Sequence, residues 1–262
     1  MKKKILFLNC DAAWYGSEKV LFYTIKTLST RYDCHVILPY YGILNKRLEA
    51  HGINPEIMNY PIFRKKCLTP AGIIRYSVEY ICSIFRLIYY IKRKKIDLIY
   101  SNSTTVLEGF LIALILKKQH IWHHHHVIEK PRIVLILIRQ IIKMSKGINI
   151  FVSHALMNKY GFKESQKYSI LHNGIEPIEI VNTHRPKRDD FSLGFLGTFN
   201  RQKGQIYLLH AIRYLISHYS LRKKIYVRLQ GPVYGNDNQW LKEIRTYIRN
   251  YNLHDMVFVK DF

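Results

Sequence analysis

Apolar residues fall into two alternating rhythms along this chain. Short continuous apolar runs read as buried strands, and longer stretches with apolar positions three and four apart read as helices. Lys4–Asn9 is the first short run. In Ser17–Thr30, residues Val20, Leu21, Thr24, Ile25 and Leu28 recur at helical spacing. His35–Pro39 is the next strand and completes a βαβ unit, which requires a parallel sheet with right-handed crossovers. The pattern then predicts a long helix over Ile73–Lys94, a strand over Asp97–Ser101 and a helix over Val106–Lys117. A strand around His120–His123, a helix over Arg132–Lys143 and a strand over Ile148–Val152 follow, then a short helix and a strand over Tyr168–Leu171.

Residues 181–190 break the rhythm. They are polar and carry Pro186 and the cluster Lys187-Arg188-Asp189-Asp190, which reads as a linker. A second series begins with a strand over Ser192–Leu196, a helix over Gly204–His218 and a strand over Lys224–Gln230. It ends with a helix over Gln239–Tyr251 and a strand over Met256–Val259. The expected class is α/β, with one Rossmann-like domain over 1–180 and a second over 191–262. Two such blocks imply a cleft, and ligands of open α/β sheets bind off the carboxyl ends of the strands. The loops that follow strands are therefore where chemistry is sought.

Composition narrows the classes. With 262 residues, 48% of them apolar, the chain is long enough to bury real cores and is not a disordered one. It holds 41 Lys+Arg against 18 Asp+Glu, a formal charge of +23, which attracts polyanions. Zinc-finger spacing, a GXXG clamp and an RNP-like aromatic strand are all missing, so nucleic acid is not the expected partner. Anionic lipid headgroups and diphosphate ligands are. The four cysteines, Cys10, Cys34, Cys67 and Cys82, form no CxxC pair and suit a reducing cytosol. The apolar start is cut off by Asn9 and Asp11, too short for a signal peptide, and no stretch approaches the ~20 uninterrupted apolar residues of a membrane span.

Five loops carry candidate chemistry. In Trp14-Tyr15-Gly16-Ser17-Glu18-Lys19, Gly16 lets a ligand approach the backbone and the helix start offers amides to an anion or hydroxyl. The same residues also serve as an ordinary helix start, with Ser17 or Asp11 as cap and Glu18 in the first turn. In Gly197-Thr198-Phe199-Asn200-Arg201-Gln202-Lys203-Gly204, two glycines bracket a tight loop that carries Arg201 and Lys203 to a helix N-terminus, a combination suited to a diphosphate. The run His123-His124-His125-His126 invites a metal, but neighbouring strand residues alternate faces, so the four rings cannot converge. A polar strand end lining a cleft fits better. Asn173-Gly174 is a turn signal, and Ser153, at the end of a strand, is placed to cap the next helix. The basic amphipathic stretch Lys130–Lys146 suits a membrane interface or a sheet-covering helix equally.

Taken in order, these segments resemble the retaining glycosyltransferases of family 4. Trp14–Leu21 is similar to that family's glycine loop and "AE-x-V-L", with Tyr15 in place of the first glycine. Asp97–Asn102 resembles "D-I-V-H-x-N". Trp122–Pro131 resembles the capsule and O-antigen pattern "W-H-x-R-E-x-x-E-K-P", with His125 and His126 where Arg and Glu are usual. Val152–Ala155 is similar to "V-S-x-A", Ile170–Glu176 to "V-I-x-N-G-I-D", and Gly197–Gly204 to the donor loop "G-x-x-x-x-x-K-G", with Gly231-Pro232 after the next strand.

The resemblance implies a GT-B fold: two Rossmann-like parallel-sheet domains facing a cleft. It implies transfer of a sugar, with retention, from a nucleoside diphosphate sugar to a lipid-linked or glycan acceptor in surface polysaccharide synthesis, at the inner face of the cell membrane. No cofactor or metal is implied, because cations and helix dipoles neutralise the leaving diphosphate. Lys203 would grip that diphosphate, with Arg201, Gly197 and Gly204 beside it. Thr198 stands where many members carry Arg. His123 would line the reaction centre. Gly16, Ser17, Glu18, Asn102, Ser153, Asn173 and Gly174 would line the acceptor side and cleft. The family's donor domain continues with "E-x-F-G-x-x-x-x-E", which binds donor sugar and ribose. On the resemblance, the second domain is expected to be incomplete at Phe262, and the chain to be weakly active or inactive unless a separate chain supplies the rest. The alternative expectation is a non-catalytic scaffold at the membrane surface.

Overall fold

The structure is a computed structural model that describes residues 2–63, 65–175, 190–220, 224–233 and 238–261. The chain divides into two compact units, Met1–Pro177 and Ile178–Phe262. Apart from Asp190, the predicted linker 181–190 lies outside the described residues, as does Glu176.

The first unit is built on strands β1 (Lys4–Asn9), β2 (Asp33–Leu38), β3 (Glu56–Ile57), β4 (Leu98–Asn102), β5 (Gln119–His124), β6 (Ile148–Phe151) and β7 (Tyr168–Ile170). They form one sheet in the order β3-β2-β1-β4-β5-β6-β7, and every pair is parallel. The chain leaves β1 toward β2 on one side and returns to β4 on the other. The order therefore reverses between β1 and β4, where open α/β sheets form their ligand crevice. The register sets Asn9 beside Asn102 at that point.

Strand residues alternate between two helical layers. Ile5, Phe7, Val36 and Leu38 pack under α1 (Gly16–Leu28) and α2 (Ile43–Glu49) through Leu21, Phe22, Ile25, Leu44 and Leu48. Leu6, Leu8, Ile37 and Ile99 pack under α3 (Pro70–Lys94) and α4 (Glu108–Leu116) through Ile84, Leu87, Ile91 and Ile112. On that second side, α5 (Arg132–Met144) and α6 (His154–Lys159) cover Trp122 and Phe151. Each fully buried Leu, Ile or Phe contributes roughly 1.5–3 kcal/mol, so these layers hold the sheet.

The second unit has β8 (Phe191–Leu196), β9 (Ile225–Gly231) and β10 (Val257–Asp261), paired parallel in the order β10-β9-β8. Its helices α7 (Gln205–His218) and α8 (Asn238–Asn250) pack Leu209, Ile212, Leu241 and Ile244 onto Val227 and Leu229.

The elements observed differ from the expected ones mostly at their ends. The long helix begins at Pro70 because Thr69 caps it, its side chain accepting from the Gly72 N–H at 3.1 Å. Helix α2 and strand β3 were not expected. Seven residues show too little periodicity, and α2 is held by tertiary contact: Leu44 N–H donates to the Ala12 carbonyl at 2.9 Å, and a Cβ on Gly42 would lie 2.3 Å from that oxygen. No helix among the described residues is long and apolar enough to cross a membrane.

Candidate functional site

The carboxyl ends of β1, β4 and β5 meet in a buried polar cluster. Asn102 is its hub. Its amide donates to Asn9 Oδ1 at 2.9 Å and to the Ser17 carbonyl at 3.3 Å, and its Oδ1 lies 2.9 Å from His125 Nε2. Since that oxygen only accepts, His125 carries its proton on Nε2. The Asn9 amide in turn donates to Glu18 Oε1 at 3.2 Å, and Ser17 Oγ donates to the same oxygen at 2.9 Å. One polarised chain thus runs from His125 through two asparagines to the Glu18 carboxyl. Tyr60 holds the backbone of Asn9 from below: its hydroxyl accepts the Asn9 N–H at 3.0 Å and donates to the Asn9 carbonyl.

Glu18 is buried and its second oxygen, Oε2, has no partner. Burial raises its pKa, and the bonds from Asn9 and Ser17 pull it back. The group is an acceptor held at low dielectric with one oxygen unclaimed.

His123 and His124, the last two residues of β5, separate by strand alternation. His124 turns into the helical layer, stacks on Phe151 with ring centroids 4.7 Å apart, and has Thr104 Oγ1 at 3.0 Å and Asn149 Oδ1 at 3.2 Å. It is a core residue. His123 faces the opposite side with Nδ1 2.7 Å from the Tyr100 hydroxyl, and its buried Nε2 has no partner. His125 lies over it, ring centroids 4.2 Å apart, and is the ring nearer solvent. Burial lowers His123 to about 4 and His124 and His125 to about 3, so all three are neutral at pH 7. Neutral imidazoles offer one donor and one acceptor each, suited to hydroxyls rather than to holding a phosphate by charge. Among the described residues, no three His, Cys, Asp or Glu side chains converge as a metal site.

Gly16 opens α1. It is exposed, a Cβ there would meet nothing within 4 Å, and no side chain caps this helix. Neither Ser17 nor Asp11 is the expected cap. Ser17 is spent on Glu18, and Asp11 Oδ1 accepts from the Ala13 N–H at 2.9 Å and from the Tyr40 hydroxyl. The first amides of α1 therefore have no side-chain cap, and the space a Cβ on Gly16 would take is open.

In the second unit, the loop after β8 is tied down at three places. Gly197 N–H donates to the Gln230 carbonyl at 2.9 Å and Phe199 N–H to the Pro232 carbonyl at 3.0 Å, with the Phe199 ring fully buried. A short 3-10 turn, Arg201–Lys203, is capped by Asn200, whose Oδ1 accepts from the Lys203 N–H at 3.1 Å. Buried Gln205 donates to the Thr198 carbonyl at 2.8 Å. Gly204 takes φ +79, which an L side chain rarely adopts, and swings the chain into α7. The result is a rigid loop with Arg201 and Lys203 exposed at the start of a helix that no side chain caps.

The structure thus brings Ser17, Glu18, Asn102 and His123 together, with Gly16 at their edge, and gathers Gly197, Thr198, Arg201, Lys203 and Gly204 in the other unit. Ser153 caps α6, accepting from the Leu156 N–H at 3.2 Å, the plainer of its two expected roles. Asn173 and Gly174 follow β7 and are exposed. Asn9 and Tyr100 were not among the expected site residues, and His125 was expected only as part of a polar strand end lining a cleft. The signal for Asn9 was present: it ends the first strand and sits level with Asn102 once the switch point is known.

No family model matches the chain, and no curated protein does. Solved structures do. HepE (Alr3699) of Anabaena in complex with UDP has a TM-score of 0.73 at 18% identity, covering 99% of this chain and 69% of that one. A glycosyltransferase from Rickettsia africae has a TM-score of 0.68 at 16% identity over 99% and 68%. MurG of Acinetobacter baumannii has 0.55 at 12% over 99% and 67%. The chain is therefore similar, over about two thirds of their length, to GT-B glycosyltransferases, and its fold is of that type.

Proposed function

We propose that this chain handles a nucleoside diphosphate sugar as part of a retaining glycosyltransferase of the family 4 kind, acting on a lipid-linked or glycan acceptor in surface polysaccharide synthesis. The observation that carries the reading is the loop after β8. Exposed Lys203 and Arg201 stand on a capped turn at the uncapped start of α7. Two cations and free amides at one point suit a diphosphate leaving group, whose charge grows as the glycosidic bond breaks. The HepE structures hold UDP and UDP-glucose, which supports a uridine donor class. Retention and the polysaccharide role rest on the order of the motifs.

In this reading the donor diphosphate lies against Gly197–Gly204 and needs no metal. Within the first unit, taken by itself, the His123 and His125 pair is suited to sugar hydroxyls, with His125 outermost and the unpartnered Nε2 of His123 beneath. The unpartnered Glu18 Oε2 and the open space at Gly16 are where further polar groups of a ligand would be held. The protein works as a peripheral one at the inner face of the cell membrane, where its acceptor is held.

Transfer of radiolabelled sugar from nucleotide sugars to lipid extracts tests this. Lys203→Ala should lower transfer by about a hundredfold, the scale of one lost transition-state cation. Transfer that is unchanged in Lys203→Ala would remove the loop from the mechanism. Vesicle binding with no transfer would leave the chain a membrane-surface binding protein.

A further inference from the structure

Helix α3 has two apolar faces, and the fold uses one. Ile84, Leu87 and Ile91 enter the core. Ile74, Val78, Ile81, Phe85 and Tyr89 point outward, each 57% to 69% exposed. At 100° per residue these five fall within an arc of about 80°, and they run along about 22 Å of helix. Scattered apolar residues on a surface are normal, but a straight stripe of five large ones is not. Leu114 and Ile115 of α4, which covers the same side of the sheet, are also 46% and 51% exposed.

The charges around the stripe are mostly basic, with Lys94 paired to Glu56 at 3.5 Å and Arg86 donating to the Asn59 carbonyl at 2.7 Å. Arg75, Arg86 and Arg93 line one edge within about 20° of each other. Lys92, Lys94 and Lys95 close its end. The single acidic residue of α3, Glu79, is paired with Arg75 at 2.8 Å. The basic residues still outnumber the acidic ones, and an apolar stripe with a net basic edge matches the acyl boundary and the phosphate layer of an anionic bilayer, the basic edge facing headgroups while the stripe sinks below them. Arg75 also lines a cavity of about 750 Å³ together with Tyr60, Tyr76 and Cys10, just past the carboxyl end of β1. That cavity opens beside the Arg edge of the stripe.

We infer that the outer face of α3 is the surface by which this protein docks on anionic lipid. Docking there sets the 750 Å³ cavity at the headgroup layer, where a lipid-held acceptor reaches it without leaving the bilayer. The inference rests on the peripheral membrane reading and names the face that serves it.

Cosedimentation of the full chain with vesicles tests it, one set containing phosphatidylglycerol and one made of phosphatidylcholine alone. Wild type should bind the anionic vesicles about tenfold more tightly than the neutral ones, and less so in high salt. The double variant Ile74→Ser/Phe85→Ser should lose about tenfold in binding with its thermal melt unchanged, because both side chains are already in water. Ile43→Ser, exposed on the opposite side of the sheet, should bind as wild type does. Equal binding by wild type and the double variant would overturn the face while leaving the peripheral reading intact. Failure of wild type to bind anionic vesicles would overturn both. A wild-type dimer that the double variant turns into a monomer, seen by sedimentation, would assign the stripe to a second copy and overturn the inference.

Discussion

Asn102 completes three hydrogen bonds at once, to Asn9, Ser17 and His125. Truncation to Ala strands all three partners in a buried place, and a buried polar group left unpaired costs more than a made bond returns. Asn102→Ala should lower stability by about 2–3 kcal/mol in urea unfolding. Asn173→Ala, exposed after β7, should change it by less than about 0.5 kcal/mol. Gly16 is the converse case. A Cβ there meets nothing within 4 Å of the protein, so Gly16→Ala should leave the melt unchanged while lowering transfer, if a ligand uses that space. Equal transfer by this variant would take Gly16 out of the site.

At the scale of elements, the loops that carry chemistry are positioned by neighbours rather than by their own residues. A Cβ on Gly231, at the end of β9, would lie 2.0 Å from the Gly197 carbonyl oxygen. Both partners there are backbone, so neither can turn aside. Gly231→Ala should push the loop after β8 from its place, costing about 2 kcal/mol or more of stability and, on the proposed function, most of the transfer activity. Calorimetry and the transfer assay report the two effects separately. The loop after β8 was legible as a basic turn between strand and helix. Its contact with Gly231 was not, because the two positions are brought together only by the pairing of β8 with β9.

Across the whole molecule, buried titratable groups set how stability varies with pH. His120, His123, His124 and His125 have folded values of about 3 to 4 against about 6.5 when unfolded. Between those values the unfolded chain binds more protons, so this contribution is complete above about pH 6.5 and is lost as pH falls toward 4. Glu108, the buried first residue of α4, acts oppositely. Burial raises it to about 8, against the restraint of the amides at the helix start and the nearby Ser83 hydroxyl. Its folded form holds a proton that the unfolded chain releases, so stability falls as pH rises from about 4.5 to 8. Glu18, also raised by burial, acts in the same sense as Glu108, and His126, also lowered by burial, in the same sense as the other histidines, so below pH 6.5 the histidines outnumber the two carboxyls. Thermal melts should therefore peak near pH 6.5 and fall on both sides. Glu108→Gln should flatten the alkaline side, raising the melt at pH 8 more than at pH 5, and an unchanged alkaline slope would remove Glu108 as its cause.

Periodicity alone determined that this chain alternates strands and helices in two series, because burying one face of each element demands a fixed spacing of apolar residues. Local chemistry likewise marked the basic loop at Lys203 and the separation of adjacent histidines, since strand alternation acts over neighbouring residues. What only the tertiary structure decided is which residues meet across distance. Asn9 and Asn102 are neighbours because strand order reverses between β1 and β4, and His125 joins them because β5 follows in the sheet. The outward stripe of α3 belongs to the same class. Both of its faces are apolar in sequence, and only the placement of the sheet chose which one to bury.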